Sequence, residues 1–264
     1  MLRARLATAA VAIPSLLALI FLAPPWGLAI VVSALAIAAM TEYAGLAFRT
    51  QPVDRWLTVV LGVLVILAAL DGPGLRLTAA LVLVVAAGFA RVVLFRSDLE
   101  RGLADVGLIA VGVLYVGLFM PHFVWLHRVA DGPGWLTFVI ATGMAGDTAG
   151  YFVGRAFGRR RLIPRVSPGK TVEGAIGILA ASLLAGVAAK LILLGDRGWK
   201  EILALAFVMG VIGQIGDLSE SVMKRAFGAK ESGWILPGHG GVLDRIDSLL
   251  FPVTLVYYYL TLPG

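Results

Sequence analysis

Cysteine is absent from the 264 residues, which removes disulfides, thiolate metal sites and thiol nucleophiles together. Any chemistry is left to carboxylates, amines, hydroxyls and three histidines. Charge is scarce as well. Only 14% of the residues are charged against 59% hydrophobic, and mean hydropathy is +0.93. No single soluble domain carries that balance, because a water-facing surface needs charge. The chain therefore reads as an all-α, polytopic integral membrane protein. Acids are fewer than bases, giving a net charge of +6 and a pI near 9.9. A basic balance can mean nucleic acid, but these cations cluster in loops between apolar segments, as membrane topology demands. No nucleic-acid partner is expected.

About 20 apolar residues are needed to cross the hydrocarbon. Nine segments qualify: 7–23, 26–46, 56–70, 76–95, 104–121, 135–157, 172–194, 200–222 and 246–262. The breaks between them hold turn or charge chemistry, as at Pro24-Pro25, Asp71-Gly-Pro-Gly74 and Asp131-Gly-Pro-Gly134. The opening stretch has basic residues and then a long apolar run, as a signal peptide would, but Pro24 follows Ala23 where a cleavage site would be needed. It reads as a retained first span. With the N-terminus in the cytoplasm, 17 of the 22 Lys and Arg fall on the cytoplasmic side, four on the far side, and Lys190 lies within its span. That bias predicts about nine transmembrane helices with the N-terminus cytoplasmic, and it puts the two polar loops, 159–170 and 224–244, in the cytoplasm.

The richest polar stretch runs from Ser221 to Asp247 and packs cations, acids and His239 between two apolar segments. Carboxylates for a divalent cation, cations for phosphate, and glycine joints that let backbone approach a ligand describe a phosphate- and metal-handling site. In the eighth span Gly210, Gly213, Asp217, Ser221 and Lys224 share one helix face. An ionisable residue inside a span is costly without a partner or a site, so Asp217 is a candidate. Asp244 and Asp247 start the ninth span at i and i+3; they serve either as a helix cap or, since like charges side by side repel, as part of a cation site. Asp217, Asp244 and Asp247 form the predicted Mg²⁺ cluster.

Asp147 lies deep in the sixth span and is expected to face a polar cavity. Beside it Gly146, Gly150, Gly154 and Gly158 form a stripe of small residues, suited to packing within one chain or to a homodimer. The Gly169-Lys170-Thr171 run invites a phosphate-loop reading, but the glycine needed five positions earlier is Pro164 and no strand is expected before it. Ser167 to Glu173 is instead expected to wrap a phosphate at a helix start, with Lys170 as counter-charge. Arg159, Arg160 and Arg161 read as a topology signal and a clamp on anionic headgroups. His239 has no neighbouring nucleophile and fits phosphate binding or proton transfer; His122 and His127 read as interfacial. Glu42 lies near a cytoplasmic helix end, where solvent would reach it.

The order Ser221-x-x-Lys224-Arg225, then Lys230, then Pro237-Gly238-His239-Gly240-Gly241, then Asp244-Arg245-x-Asp247-Ser248 resembles the signature of the CDP-diacylglycerol synthases, or phosphatidate cytidylyltransferases. Gly146-Asp147-Thr148 with Tyr151, and Ser167-Pro168-x-Lys170-Thr171-x-Glu173-Gly174, resemble other blocks of that family. The similarity covers about residues 140–264, whereas residues 1–130 match only as apolar helices with a Glu42-Tyr43 pair. Two positions depart from the pattern: Glu231 stands for an Asp, and Gly169 for a Lys. Apolar run length puts five transmembrane helices in 1–130, and the resemblance implies a catalytic transmembrane region with cytoplasmic loops in 131–264. It implies transfer of the cytidylyl group of CTP to phosphatidate, dependent on Mg²⁺, with a monovalent cation such as K⁺ sometimes sharing the carboxylates. It also implies an inner-membrane enzyme whose site faces the cytoplasm. On that footing Asp217, Asp244 and Asp247 hold metal. Lys224, Arg225, Lys230 and Arg245 meet the CTP phosphates and pyrophosphate, and Ser167, Lys170 and Thr171 meet either phosphate group. Asp147, Ser221, His239, Gly240 and Gly241 line the substrate pocket.

Two other readings share the residues. An ion-coupled transporter also places acids inside spans, but its acids would sit near the bilayer middle in repeated halves, and here most lie at one mouth. A lipid kinase acting on another lipid alcohol keeps the metal logic and changes the acceptor.

Overall fold

The computed structural model describes residues 2–233 and 240–262. Its helices are α1 (Leu2–Phe21), α2 (Pro25–Ala47), α3 (Pro52–Ala69), α4 (Leu75–Phe95), α5 (Leu99–Gly112), α6 (His122–Arg128), α7 (Gly132–Phe157), α8 (Val172–Ile192), α9 (Trp199–Ala226) and α10 (Leu243–Thr261). A π-helical turn, Val113–Leu118, follows α5. Punctuation matches the sequence: proline opens α2 and α3, Asp98 accepts the Arg101 N–H at 3.0 Å to cap α5, and Thr171 Oγ1 accepts from Gly174 N at 3.1 Å to cap α8.

Among the described residues six helices are long and apolar enough to cross a membrane, one of them running from Leu99 through α5 and α6 to Arg128. Their outer faces carry large apolar side chains such as Val82, Val93, Leu184 and Ile192, all more than 60% exposed, as contact with hydrocarbon requires. The remaining predicted spans coincide with α1, α7 and α10. Glycines dilute the hydropathy of α7, and three of the first five residues of α10 are charged.

One core joins α1 and α2 to α7, α9 and α10, built on Trp135, Phe138, Met40, Ile202 and Leu250; a second forms among α3, α4 and α5. The glycine stripe of α7 serves packing inside the chain. A Cβ on Gly150 would lie 2.6 Å from Ile178 of α8, and one on Gly154 3.6 Å from the Gly174 Cα. Glycines of α9 perform the same service for α10: a Cβ on Gly216 would stand 2.4 Å from the Asp247 carbonyl oxygen, and one on Gly213 3.0 Å from that of Ser248. Gly216→Ala is therefore expected to lower the melting temperature in detergent, an overpacking cost of ~1–3 kcal/mol. An unchanged melt would mean that α9 and α10 do not meet through this glycine.

The small sheet departs from the all-helical expectation. Arg161–Ile163 (β1) and Ser167–Thr171 (β2) pair antiparallel, so the segment expected to wrap a phosphate is a hairpin strand. A strand does precede Gly169, yet the backbone from Gly169 to Thr171 is extended and makes no phosphate-cradling loop. The hairpin is pinned to α8 by Glu173, whose carboxylate accepts the Arg159 N–H at 3.0 Å and the Arg160 N–H at 3.3 Å.

In the first half, Arg91 and Arg96, read from sequence as topology signals, are ion-paired with acids. Arg91 meets Asp54 at 3.1 Å, while Arg96 reaches Asp54 at 2.7 Å and Asp105 at 2.6 Å. Asp54 is 2% exposed, so this network ties α3 to α4 and α5. His122, 2% exposed, bonds the Leu118 carbonyl and is a core residue, not an interfacial one.

Candidate active site

A cavity of about 880 Å³ opens between α7, α8, α9, the hairpin and the start of α10. It brings together Asp147, Ser167, Lys170, Thr171, Asp217, Lys224, Asp244 and Asp247, eight of the predicted site residues from four separate stretches of chain. Lys170, reaching in from β2, pairs with Asp217 of α9 at 2.5 Å. Lys224, at the end of α9, lies 2.5 Å from Asp244 Oδ1 and also pairs with Glu220 one turn back. Each lysine in the lining is thus paired with an acid.

The carboxylates differ in surroundings. Asp147 is open to the cavity and accepts the Ser248 hydroxyl at 2.8 Å, a bond that joins α7 to α10. Asp247 is 8% exposed and accepts the Ser248 N–H at 2.7 Å. Asp244 is the most fully bonded: its Oδ2 accepts the Ser232 N–H at 3.0 Å, the Ser232 hydroxyl at 2.8 Å and the Gly241 N–H at 3.0 Å. A carboxylate with that many donors is held in one orientation.

Other predicted residues lie outside the cavity lining. Arg225 donates to the Val166 carbonyl at 3.3 Å and the Ala229 carbonyl at 3.2 Å, bracing the hairpin against the end of α9. Lys230 and Arg245 are exposed, and Ser221 is buried within α9. Gly240 takes a left-handed φ of +79°, and a Cβ on Gly241 would stand 2.0 Å from Ser232 Oγ, so both glycines are required where they are. His239 lies outside the described residues. Thr171 Oγ1 is engaged as the α8 cap.

Two participants were missed in the sequence. Glu220, its side chain 1% exposed, is an acid inside a span four residues before Lys224, and that spacing alone could have marked it. Ser232 carried no such signal, and Ser248, although it closes the family signature, was given no role, since a serine shows its partner only in three dimensions. Glu42, expected near solvent, is 6% exposed and bonded to the start of α10.

Among the described residues no three of His, Asp and Glu lie close enough together to hold a metal ion. Mg²⁺ does not demand such a cage, since it keeps several waters and binds through one or two carboxylates plus substrate phosphates. The cavity offers the carboxylate oxygens of Asp147, Asp217, Asp244 and Asp247, which is the donor chemistry a hard divalent cation takes. The residues present fit it.

A family model described as "Cytidylyltransferase family" matches residues 3–262. A phosphatidate cytidylyltransferase of Bacillus subtilis (strain 168) is 36% identical over 159 residues, 60% of this chain and 59% of the relative. One from Brucella suis is 43% identical over 152 residues, 57% and 56% of the two chains. These two alignments thus span just over half the length of the relatives. One from Haemophilus influenzae is 34% identical over 286 aligned positions and 98% of both chains.

Proposed function

This chain belongs to the cytidylyltransferase family, and from that premise we propose that it transfers the cytidylyl group of CTP to phosphatidate, giving CDP-diacylglycerol and pyrophosphate for phospholipid biosynthesis. The observation that carries the reading is the cavity in which Asp147, Asp217, Asp244 and Asp247 stand against Lys170 and Lys224. A phosphate oxygen of phosphatidate attacks the α-phosphorus of CTP; the new P–O bond forms as the bond to the β-phosphate oxygen breaks, and pyrophosphate leaves with that electron pair. The nucleophile is already anionic, so no strong base is needed. The obstacle is bringing two anions together, which positioned cations relieve.

Lys170 from the hairpin and Lys224 from α9 meet this need, each parked on a carboxylate that can release it to phosphate. Of the predicted trio Asp217, Asp244 and Asp247, which do not converge on one point, one or two carboxylates with the substrate phosphates would hold Mg²⁺, with K⁺ as a further candidate, and the bound ion would neutralise and orient the phosphates. Arg225, Lys230 and Arg245 are exposed cations outside the cavity lining, and their role would be to draw the triphosphate inward by long-range attraction. Ser167 on β2 faces the same space, and the family signature assigns His239, Gly240 and Gly241 to the nucleotide. Nine spans, a cytoplasmic N-terminus and a cytoplasmic mouth in the inner membrane are supported by the distribution of Lys and Arg.

The test is purified protein in mixed micelles with phosphatidate, α-labelled CTP and Mg²⁺, beside an EDTA blank. Label entering the organic phase as CDP-lipid only when metal is present is the expected result; none from well-folded protein would point to another acceptor or to transport. Arg160 offers a contrast. Its backbone N–H holds Glu173 while its side chain is exposed and does not line the cavity, so Arg160→Ala is expected to change lipid affinity or insertion and leave kcat within about twofold. Vesicle co-sedimentation and steady-state rates check both.

A further inference from the structure

Helix α10 begins at Leu243 with no cap from its own N-cap residue, Val242. Its first amide groups are orphan donors that something must satisfy. Glu42, from α2, does so. Its Oε1 accepts the Val242 N–H at 3.0 Å and its Oε2 the Leu243 N–H at 3.0 Å, across some 200 residues of chain. The next residue is Asp244. Ser232 stands between the two acids, its hydroxyl donating to Asp244 Oδ2 at 2.8 Å with Glu42 Oε2 3.4 Å away.

Two glycines make room for the Glu42 carboxylate against this segment. A Cβ on Gly233 would lie 2.6 Å from its Oε1, and one on Gly241 2.7 Å from its Oε2. Its neighbour Tyr43 prevents α2 from turning the carboxylate away. The Tyr43 hydroxyl donates to the Leu108 carbonyl at 2.8 Å, and its ring fills the space where Gly112 has no side chain, a Cβ there falling 1.9 Å from the ring.

We propose that Glu42 is a positioning residue for the transfer reaction: by capping α10 from α2 it fixes the segment that holds Asp244 at the cavity wall. It does not itself line that cavity, so it acts through Asp244 and not on substrate. The proposal rests on the reading of the cavity as the site of cytidylyl transfer.

Hydrogen exchange of wild-type, Glu42→Gln and Glu42→Ala protein in detergent, with steady-state rates at varied CTP, tests it. Glu42→Ala is expected to speed exchange of the 240–247 amides by about tenfold or more, as loss of two charge-assisted bonds requires, while α7 and α8 peptides keep their protection. The kcat should fall ~10–100-fold with the KM for CTP nearly constant, the pattern of a group that orients another. Glu42→Gln should recover part of both, because one amide oxygen still accepts one N–H. Unchanged exchange in 240–247 would overturn the proposal, as would lost protection with full kcat, or a loss carried by KM alone. Should the alanine variant fail to fold, the glutamine variant carries the same comparison. A wild type that makes no CDP-lipid would sink the functional reading, and the exchange data would still decide whether Glu42 fixes this segment.

Discussion

Asp244→Asn is expected to insert and fold yet lose CDP-lipid synthesis by roughly 10²–10³-fold, the scale seen when a preorganised electrostatic group is removed. The side chain has two distinct faces. Oδ2 takes three donors from Ser232 and Gly241, and Oδ1 takes the Lys224 ammonium. Asparagine presents an NH₂ to one of those faces whichever way it turns, so either the loop donors or the ammonium loses its acceptor. The negative charge at the wall is gone in both orientations. Measuring turnover beside helical content and melting temperature separates chemistry from folding. Comparable losses in Asp244→Asn and Arg160→Ala would undo the assignment of roles.

Lys224→Met should have the largest effect on stability. Lys224 is the shared partner of Glu220 and Asp244, whose side chains are 1% and 12% exposed. Removing the ammonium strands two carboxylates away from water, and breaking a buried pair from one side costs ~3–5 kcal/mol. The detergent melt is the readout, and turnover should disappear with it. The double variant Glu220→Gln/Lys224→Met removes one of the stranded charges and should regain much of the melt without regaining turnover. If the single variant melts like wild type, the ammonium is not what holds these acids.

The parts of the site that could be read along the chain are those whose residue type is costly where it stands. Asp147 and Asp217 are ionisable groups within apolar segments, Lys224 follows on the same helix face as Asp217, and Asp244 and Asp247 start another segment; all five line the cavity. The glycines of α7 and Gly213 of α9 were visible by spacing, although their partners, Ile178 of α8 and the Ser248 carbonyl of α10, were not, and Gly216 against the Asp247 carbonyl was not read at all. Glu42 misled because its position near a helix end is equally consistent with solvent. The hairpin was missed because Ser167–Thr171 holds a proline and a glycine, and its pairing with Arg161–Ile163 depends on a neighbouring strand.

Composition and hydrophobic run length by themselves determined that this is a predominantly helical membrane protein, and the cost of charge in hydrocarbon picked out most of its reactive groups. Those are one-residue properties, set by transfer from water and independent of what lies alongside. Only the tertiary structure decided that Lys170 meets Asp217, that Lys224 is shared by Glu220 and Asp244, and that an acid from α2 caps α10. Each of those contacts needs two distant segments at hydrogen-bonding distance, and glycine-mediated helix packing, not local pattern, sets that distance.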